Sequence, residues 1–401
     1  MNSGDMTLTD SLAPGPPLWA IPALAALLLV ASTLGAYGAK AIAPITRVDG
    51  VLLVPVALNG QGPYQFMLDF EARQVVVDGD IAQSLSLGRS AVAMVENEAG
   101  DSAFASLSPI ESLDVGGLRL PANEAMVMDL SGLKSRLGTP VAGILPGRIT
   151  GKTLECDFQF GRLVVTDGAF GPAGQRAADT IKAQLDDGPP AVMALLNGEH
   201  SRPLALDPTF AGTLALSEAA LEEMGVMKEN TPRLSIERVP EDGPPPLGHT
   251  QVRIASLRVG TTEIAGPVCA VLDPTGRDRL GLGFLEHFRV TISQTESSGA
   301  LWLERVGSGP LRAPAIVGYG LSLARFRDGF WHVDVAKGSP AARAGIAAGS
   351  ALVRINGRII KNLSYETLAA RLAAGEGNEI ELGLRHGDEE RTVELVAERL
   401  L

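Results

Sequence analysis

The sequence predicts a mainly β chain: two similar β lobes in succession, then a smaller α+β module. Three observations predict it. Apolar runs of strand length are joined by Asn-Gly turns and Gly/Pro-bearing loops. A segment of the first half, running through an Asp to a Leu-Gly, returns in the same order in the second half. Near the end, Gly338-Ser339-Pro340-Ala341-Ala342-Arg343-Ala344-Gly345-Ile346 opens a different pattern, a capped helix start among strands. The 401 residues leave room for about two to three domains.

The first lobe is expected over residues 45–166. VLLVPVALNGQGPYQFML is two apolar runs joined by Asn59-Gly60, a hairpin signal. It runs into Phe66-Met67-Leu68-Asp69-Phe70-Glu71-Ala72, then the strand and helix of VVVDGDIAQSLSLG. The second lobe is expected over residues 190–305, and it repeats this order. AVMALLNGEHSRPLAL turns at Asn197-Gly198 and reaches Leu204-Ala205-Leu206-Asp207-Pro208-Thr209. The strand Thr213-Leu214-Ala215-Leu216, a helical stretch and Met224-Gly225 follow. Downstream, Val141-Ala142-Gly143-Ile144-Leu145 answers to Leu280-Gly281-Leu282-Gly283-Phe284-Leu285, and the strands CDFQF and FRVTIS come next. Residues 167–189 read as a connection with one short helix. RVPEDGPPPLG reads as a loop, because successive prolines exclude helix and central strand. Gly307 to Pro314 reads as a linker.

The Asp69 turn resembles the active-site turn of the retropepsin-like aspartyl peptidases, whose motif is apolar-apolar-Asp-Thr-Gly-Ala. The resemblance implies two pepsin/retropepsin-like β-barrel lobes, a polypeptide in the cleft between them, and Asp69 and Asp207 as catalytic dyad. Two such carboxyls, about 3 Å apart, share one proton because like charges that close cannot both ionise. One acts as general base on water and the other as general acid. Here Phe70 and Glu71 stand where Thr and Gly are expected, and Pro208 and Thr209 do so in the second lobe. Glu71 reads as a solvated surface charge. These departures favour a catalytically impaired homologue, a pseudo-peptidase that holds polypeptide; the alternative is an active aspartic endopeptidase using Asp69 and Asp207.

Residues 316–398 resemble a bacterial-type PDZ domain. Its family pattern is Gly-Ser-Pro-Ala-Ala-x-Ala-Gly-apolar, then Gly-Asp, an apolar strand and Asn-Gly; Ser350 stands for the Asp and Asn356-Gly357 makes the turn. Tyr365 to Ala374 is a second helix, and IELGLRH and RTVELVA are closing strands. The resemblance places Gly318-Tyr319-Gly320-Leu321 as the loop whose backbone N–H groups take a C-terminal carboxylate, with apolar protein C-termini as partners.

The N-terminus carries a membrane signal. Residues 1–17 are polar and read as disordered, and residues 18–39 are uncharged and long enough to span a bilayer. This is a transmembrane helix or a cleaved signal sequence. Lys40 and Arg47 follow the span, which would place the rest in the cytoplasm. Resemblance to exported bacterial relatives points to a membrane-anchored protein with its soluble part in the periplasm, the reading adopted here. The net charge of -12 argues against a nucleic-acid partner. The five scattered His residues show no ligand spacing and two Cys indicate no disulfide framework, so neither metal nor cofactor is expected.

Overall fold

A computed structural model of the chain describes residues 38–401, apart from 49, 97–101, 122–123, 170–179, 186–187, 238–249, 326–327, 361–362 and 364. Met1–Ala39 and Lys40–Leu401 are two separate units. The expected span at 18–39 lies outside the described residues but for Gly38 and Ala39, as does all of 1–17. Among the described residues, no helix is long and apolar enough to cross a membrane.

The first half runs β1 Lys40–Pro44, β2 Thr46–Val48, β3 Val51–Leu58, β4 Gln61–Asp69, β5 Val76–Asp78, α1 Gly79–Ser84, β6 Ala91–Glu96, β7 Ser102–Pro109, β8 Leu113–Val115, β9 Leu118–Leu120, β10 Glu124–Met128, α2 Ser131–Leu137, β11 Gly143–Pro146, β12 Lys152–Asp157 and β13 Arg162–Asp167. The second runs β14 Thr180–Leu185, β15 Ala191–Leu196, β16 His200–Leu206, β17 Leu214–Ser217, α3 Glu218–Glu223, β18 Arg233–Glu237, β19 Thr250–Arg253, β20 Ser256–Val259, β21 Thr262–Ala265, β22 Val268–Leu272, β23 Arg279–Leu280, α4 Leu282–Leu285, β24 Phe288–Gln294, β25 Gly299–Arg305 and β26 Leu311–Arg312.

The repeat seen in the sequence is a repeat of topology. The lobe 1 sheet is ordered β6-β7-β10-β5-β11-β4-β3-β8-β9, and lobe 2 orders its strands β18-β19-β22-β17-β23-β16-β15-β20-β21. Parallel pairs fall at the same places, β10 on β5 and β11 on β4 against β22 on β17 and β23 on β16. The Asn-Gly turns match in detail. Asn59 and Asn197 both take positive φ, 50° and 52°, as a tight hairpin turn requires. The side-chain oxygen of each then accepts two backbone N–H groups, Glu111 and Ser112 in lobe 1, Ala255 and Ser256 in lobe 2.

A six-stranded antiparallel sheet, β1-β13-β12-β24-β25-β14, takes three strands from each half. At its centre Leu154 of β12 pairs with Ile292 of β24. These two residues stand equally far along the chain from Asp69 and Asp207, so the sheet carries the pseudo-two-fold relation of the halves. One continuous apolar core runs through both lobes and this sheet, with Leu68, Leu145, Leu206, Leu280 and Phe284 fully buried. Each such side chain stabilises the fold by about 1.5–3 kcal/mol relative to exposure.

Three local expectations are corrected. CDFQF is strand only in its first two residues: β12 is KTLECD, and beyond Asp157 the chain turns, leaving Phe160 exposed. In the 167–189 connection, where a short helix is expected, the described residues instead include strand β14 at Thr180–Leu185, which pairs over its whole length with β25; 170–179 and 186–187 lie outside the described residues. The bracing segments align differently, since Leu145 pairs with Leu68 while Leu280 pairs with Leu206. Arg279 therefore occupies the position of Ile144. RVPEDGPPPLG lies outside the described residues.

The C-terminal module comprises β27 Val317–Gly318, β28 Leu321–Arg325, β29 Trp331–Ala336, α5 Pro340–Arg343, β30 Ser350–Ile355, β31 Arg358–Ile359, α6 Tyr365–Leu372, β32 Glu379–His386, β33 Glu389–Val396 and β34 Glu398–Arg399. It has its own core around Val333, Ala341, Leu368 and Leu382. Ser339 caps α5 by accepting the Ala342 N–H, and Pro340 opens the helix. Asn356-Gly357 makes the β30–β31 turn at positive φ. The module joins lobe 2 edge to edge: Ile236 and Glu237 of β18 pair with Ala336 and Val335 of β29.

Candidate functional site

Asp69 closes β4, and β11 holds it there, with Gly147 N donating to the Asp69 carbonyl at 2.7 Å. Its Oδ1 accepts the backbone N–H of Glu71 at 2.7 Å and of Ala72 at 3.3 Å. These two bonds are those of an Asx-type turn. Phe70 is buried in the core rather than aimed at a partner turn. Its ring lies against Gly147, where an added Cβ would fall 2.3 Å from the Phe70 Cδ1. The residue replacing Thr is a packing residue made possible by a glycine across from it.

Asp207 follows β16 and is 2 % exposed. Its backbone N donates to Leu280 O at 2.9 Å, the counterpart of the bracing in lobe 1. Oδ1 accepts the Thr209 backbone N–H at 2.8 Å and the Thr209 hydroxyl at 2.5 Å. The hydroxyl has moved one position along the turn and now serves its own Asp. Oδ2 accepts Nη1 of Arg279 at 2.9 Å, an ion pair buried on both sides, with side chains 5 % and 3 % exposed.

Arg279 was not legible as a site residue from the sequence. The signal available was Arg277-Asp278-Arg279, two cations flanking an acid directly before the bracing Leu280-Gly281. Each member has a task in the structure. Arg279 meets Asp207. Asp278 accepts the Ser217 N–H at 2.7 Å and meets Arg202 at 3.3 Å. Arg277 reaches Glu71 at 3.5 Å. Glu71 is therefore not the solvated charge expected: its side chain is 21 % exposed and ion-paired to the opposite lobe. This pair brings the two turns into one neighbourhood, and Ala211 beside the Asp207 turn packs on Gly50 of lobe 1.

Chemically the two turns are unequal. A water-activating dyad keeps two facing carboxyls compatible by sharing a proton. At Asp207 the compensating charge is a guanidinium from within the same lobe, which needs no proton to do so. Cys156 and Cys269 are free and buried, and burial pushes both thiols well above the ordinary range, away from nucleophilic use. Among the described residues, no cluster of His, Cys, Asp or Glu could hold a metal ion.

In the C-terminal module Gly318-Tyr319-Gly320-Leu321 carries the chain from β27 into β28. Gly320 has φ +80° and a Cβ there would fall 2.0 Å from that of Ser339, so only glycine fits. Tyr319 is buried and its carbonyl accepts Ala341 N at 3.0 Å, tying the loop to α5. Ala336 N donates to Gly320 O at 2.8 Å. In the antiparallel alternation, the N–H groups of Leu321 and Leu323 then point to the other edge of β28.

A family model described as aspartyl protease matches residues 54–146, and one described as PDZ domain matches residues 333–386. Residues 54–146 are an aspartyl-protease-type segment, and 333–386 lie in a PDZ domain. Solved structures similar to the chain include the aspartic proteinase from Irpex lacteus, at 13% identity and a TM-score of 0.41, covering 67% of this chain and 98% of that one. Another is the protein described as edgp, at 11% identity and a TM-score of 0.42, covering 66% and 94%. No curated protein matches the sequence.

Proposed function

We propose that this chain is a membrane-tethered homologue of the retropepsin-like aspartyl peptidases that binds polypeptide without cutting it efficiently, and that its PDZ domain takes protein C-termini. The buried Arg279–Asp207 ion pair carries the reading. It supplies to one carboxylate the neutralising partner that a dyad would supply as a shared proton. Phe70 and Pro208 add to it, because neither has a hydroxyl to buttress the opposite turn. The cleft between lobes remains the place for an extended polypeptide, as the equivalent placement of Asp69 and Asp207 on β4 and β16 suggests. The tether rests on the uncharged run 18–39, with the soluble part in the periplasm. No cofactor enters this reading.

Incubating the detergent-solubilised full chain with unfolded casein across the acid and neutral range tests it. The expected result is no cleavage above that of an Asp69→Ala, Asp207→Asn control. Robust cleavage, lost in either single variant, would overturn it and make the chain an active aspartic endopeptidase, the reading that the matched positions of Asp69 and Asp207 favour.

A further inference from the structure

We infer that the outer hairpin of lobe 2 is part of the PDZ ligand site, so that a polypeptide ending in an apolar residue binds against both modules and couples them. This rests on the reading of the PDZ domain as a binder of C-termini and adds a wall from the other module. A cavity of about 250 Å³ lies at the seam. Tyr319, Leu321 and, from α6, Leu372 line its PDZ side; Leu234 and Ile236 of β18 line the other, and Gln251 of β19 supplies a polar side chain. The volume is below the roughly 300–1,000 Å³ of small-molecule pockets. It suits one apolar side chain at the end of an extended chain.

The backbone favours the same occupant. The outward N–H groups of Leu321 and Leu323 form half of a strand ladder, and among the described residues no strand pairs with that edge of β28. A peptide adding there as a strand would end at Gly320, beside the cavity. Its last side chain would then touch Ile236 as well as Leu321. β18 is held in place by its pairing with β29 and by Lys337 N donating to Ser235 O at 2.8 Å. From β18 the same sheet continues through β19, β22 and β17 to β23, which carries Arg279. A ligand that fixes β18 therefore acts on the sheet that holds Asp207, and the coupling is reciprocal by thermodynamic linkage.

The test measures binding of a fluorescent peptide ending in leucine, and of its C-terminal amide, to the detergent-solubilised full chain. Hydrogen exchange of β18 and β19 is followed with and without saturating peptide. We expect the free acid to bind better than the amide, Ile236→Ser to weaken it ~tenfold through the lost apolar wall, and exchange in both strands to slow on binding. Equal binding of acid and amide overturns the PDZ reading and this inference with it. A preference for the acid that survives Ile236→Ser unchanged, with no slowing in β18, overturns the inference alone. Should Ile236→Ser fail to fold, the exchange measurement on the unmodified chain decides.

Discussion

Replacing Arg279 by Met isolates what the buried ion pair does for the fold. Met keeps most of the aliphatic stem and removes the charge. Asp207, 3 % exposed at its side chain, would then hold a charge with Thr209 N and Oγ1 as its neutral donors among the described residues. Breaking a buried pair by deleting one partner costs about 3–5 kcal/mol, and the two retained Thr209 donors place this case near ~3 kcal/mol. At ~2–4 °C per kcal/mol for domains of this size, the lobe transition should fall by about 6–12 °C in calorimetry of the full chain. Asp207→Asn should destabilise in the same direction, since it removes the carboxylate that Arg279 meets at 2.9 Å. The double variant should recover most of the loss, with a coupling of roughly 2 kcal/mol or more, because removing both charges is often neutral. A single variant melting within ~2 °C of the parent, or two losses that simply add in the double variant, would refute the argument that this pair is a mutually compensating unit.

Two further outcomes follow from charges around the lobes and the PDZ domain. Lys134 of α2 bridges Asp80 and the buried Asp78, each at 2.9 Å, and these hydrogen bonds hold its ammonium above the ordinary range. Lys134→Met should lower lobe stability by ~1 kcal/mol in denaturant titrations, since solvent screens the ammonium and its bond to the exposed Asp80; because the folded pKa is raised, the loss should be full at neutral pH and fade only as pH climbs above about 10.4. Burial would raise the Asp328 carboxyl, but the Phe330 N–H and the His332 ring outweigh it and hold it low. Its contribution is thus present above about pH 3.9 and lost as pH falls through the folded value; Asp328→Asn should flatten the acid limb of the PDZ melt, followed by Trp331 fluorescence, and an unchanged limb would count against the pair.

What was legible in the sequence was whatever depends on local backbone chemistry. Asn59-Gly60, Asn197-Gly198 and Asn356-Gly357 each demand positive φ at two successive residues, so their turns could be placed without knowing what packs on them. Ser339-Pro340 fixed a helix start for the same reason. What was not legible depends on partners distant in the chain. The position of Arg279 is set by the register of β23 on β16, and a shift of one residue would have turned it to the other face. Arg277 gains meaning only from Glu71 in the other half. Thr180–Leu185 is a strand because β25 offers it an edge, which a reading of the connection by its own residues could not see.

The two halves differ most where their sheets end. Lobe 1 stops at β6, whose Val92 and Met94 are exposed; among the described residues no strand pairs with its outer edge. An open apolar edge is a template for another chain. Lobe 2 stops at the equivalent β18, but there β29 of the PDZ domain pairs with it. The same half also carries the arginine that compensates its Asp. Lobe 2 has thus acquired two fixed attachments, one at its acid and one at its edge, where lobe 1 keeps an open edge strand. On the proposal that the chain binds polypeptide, that asymmetry leaves one lobe anchored to the PDZ domain and the other with an edge on which a chain can be laid.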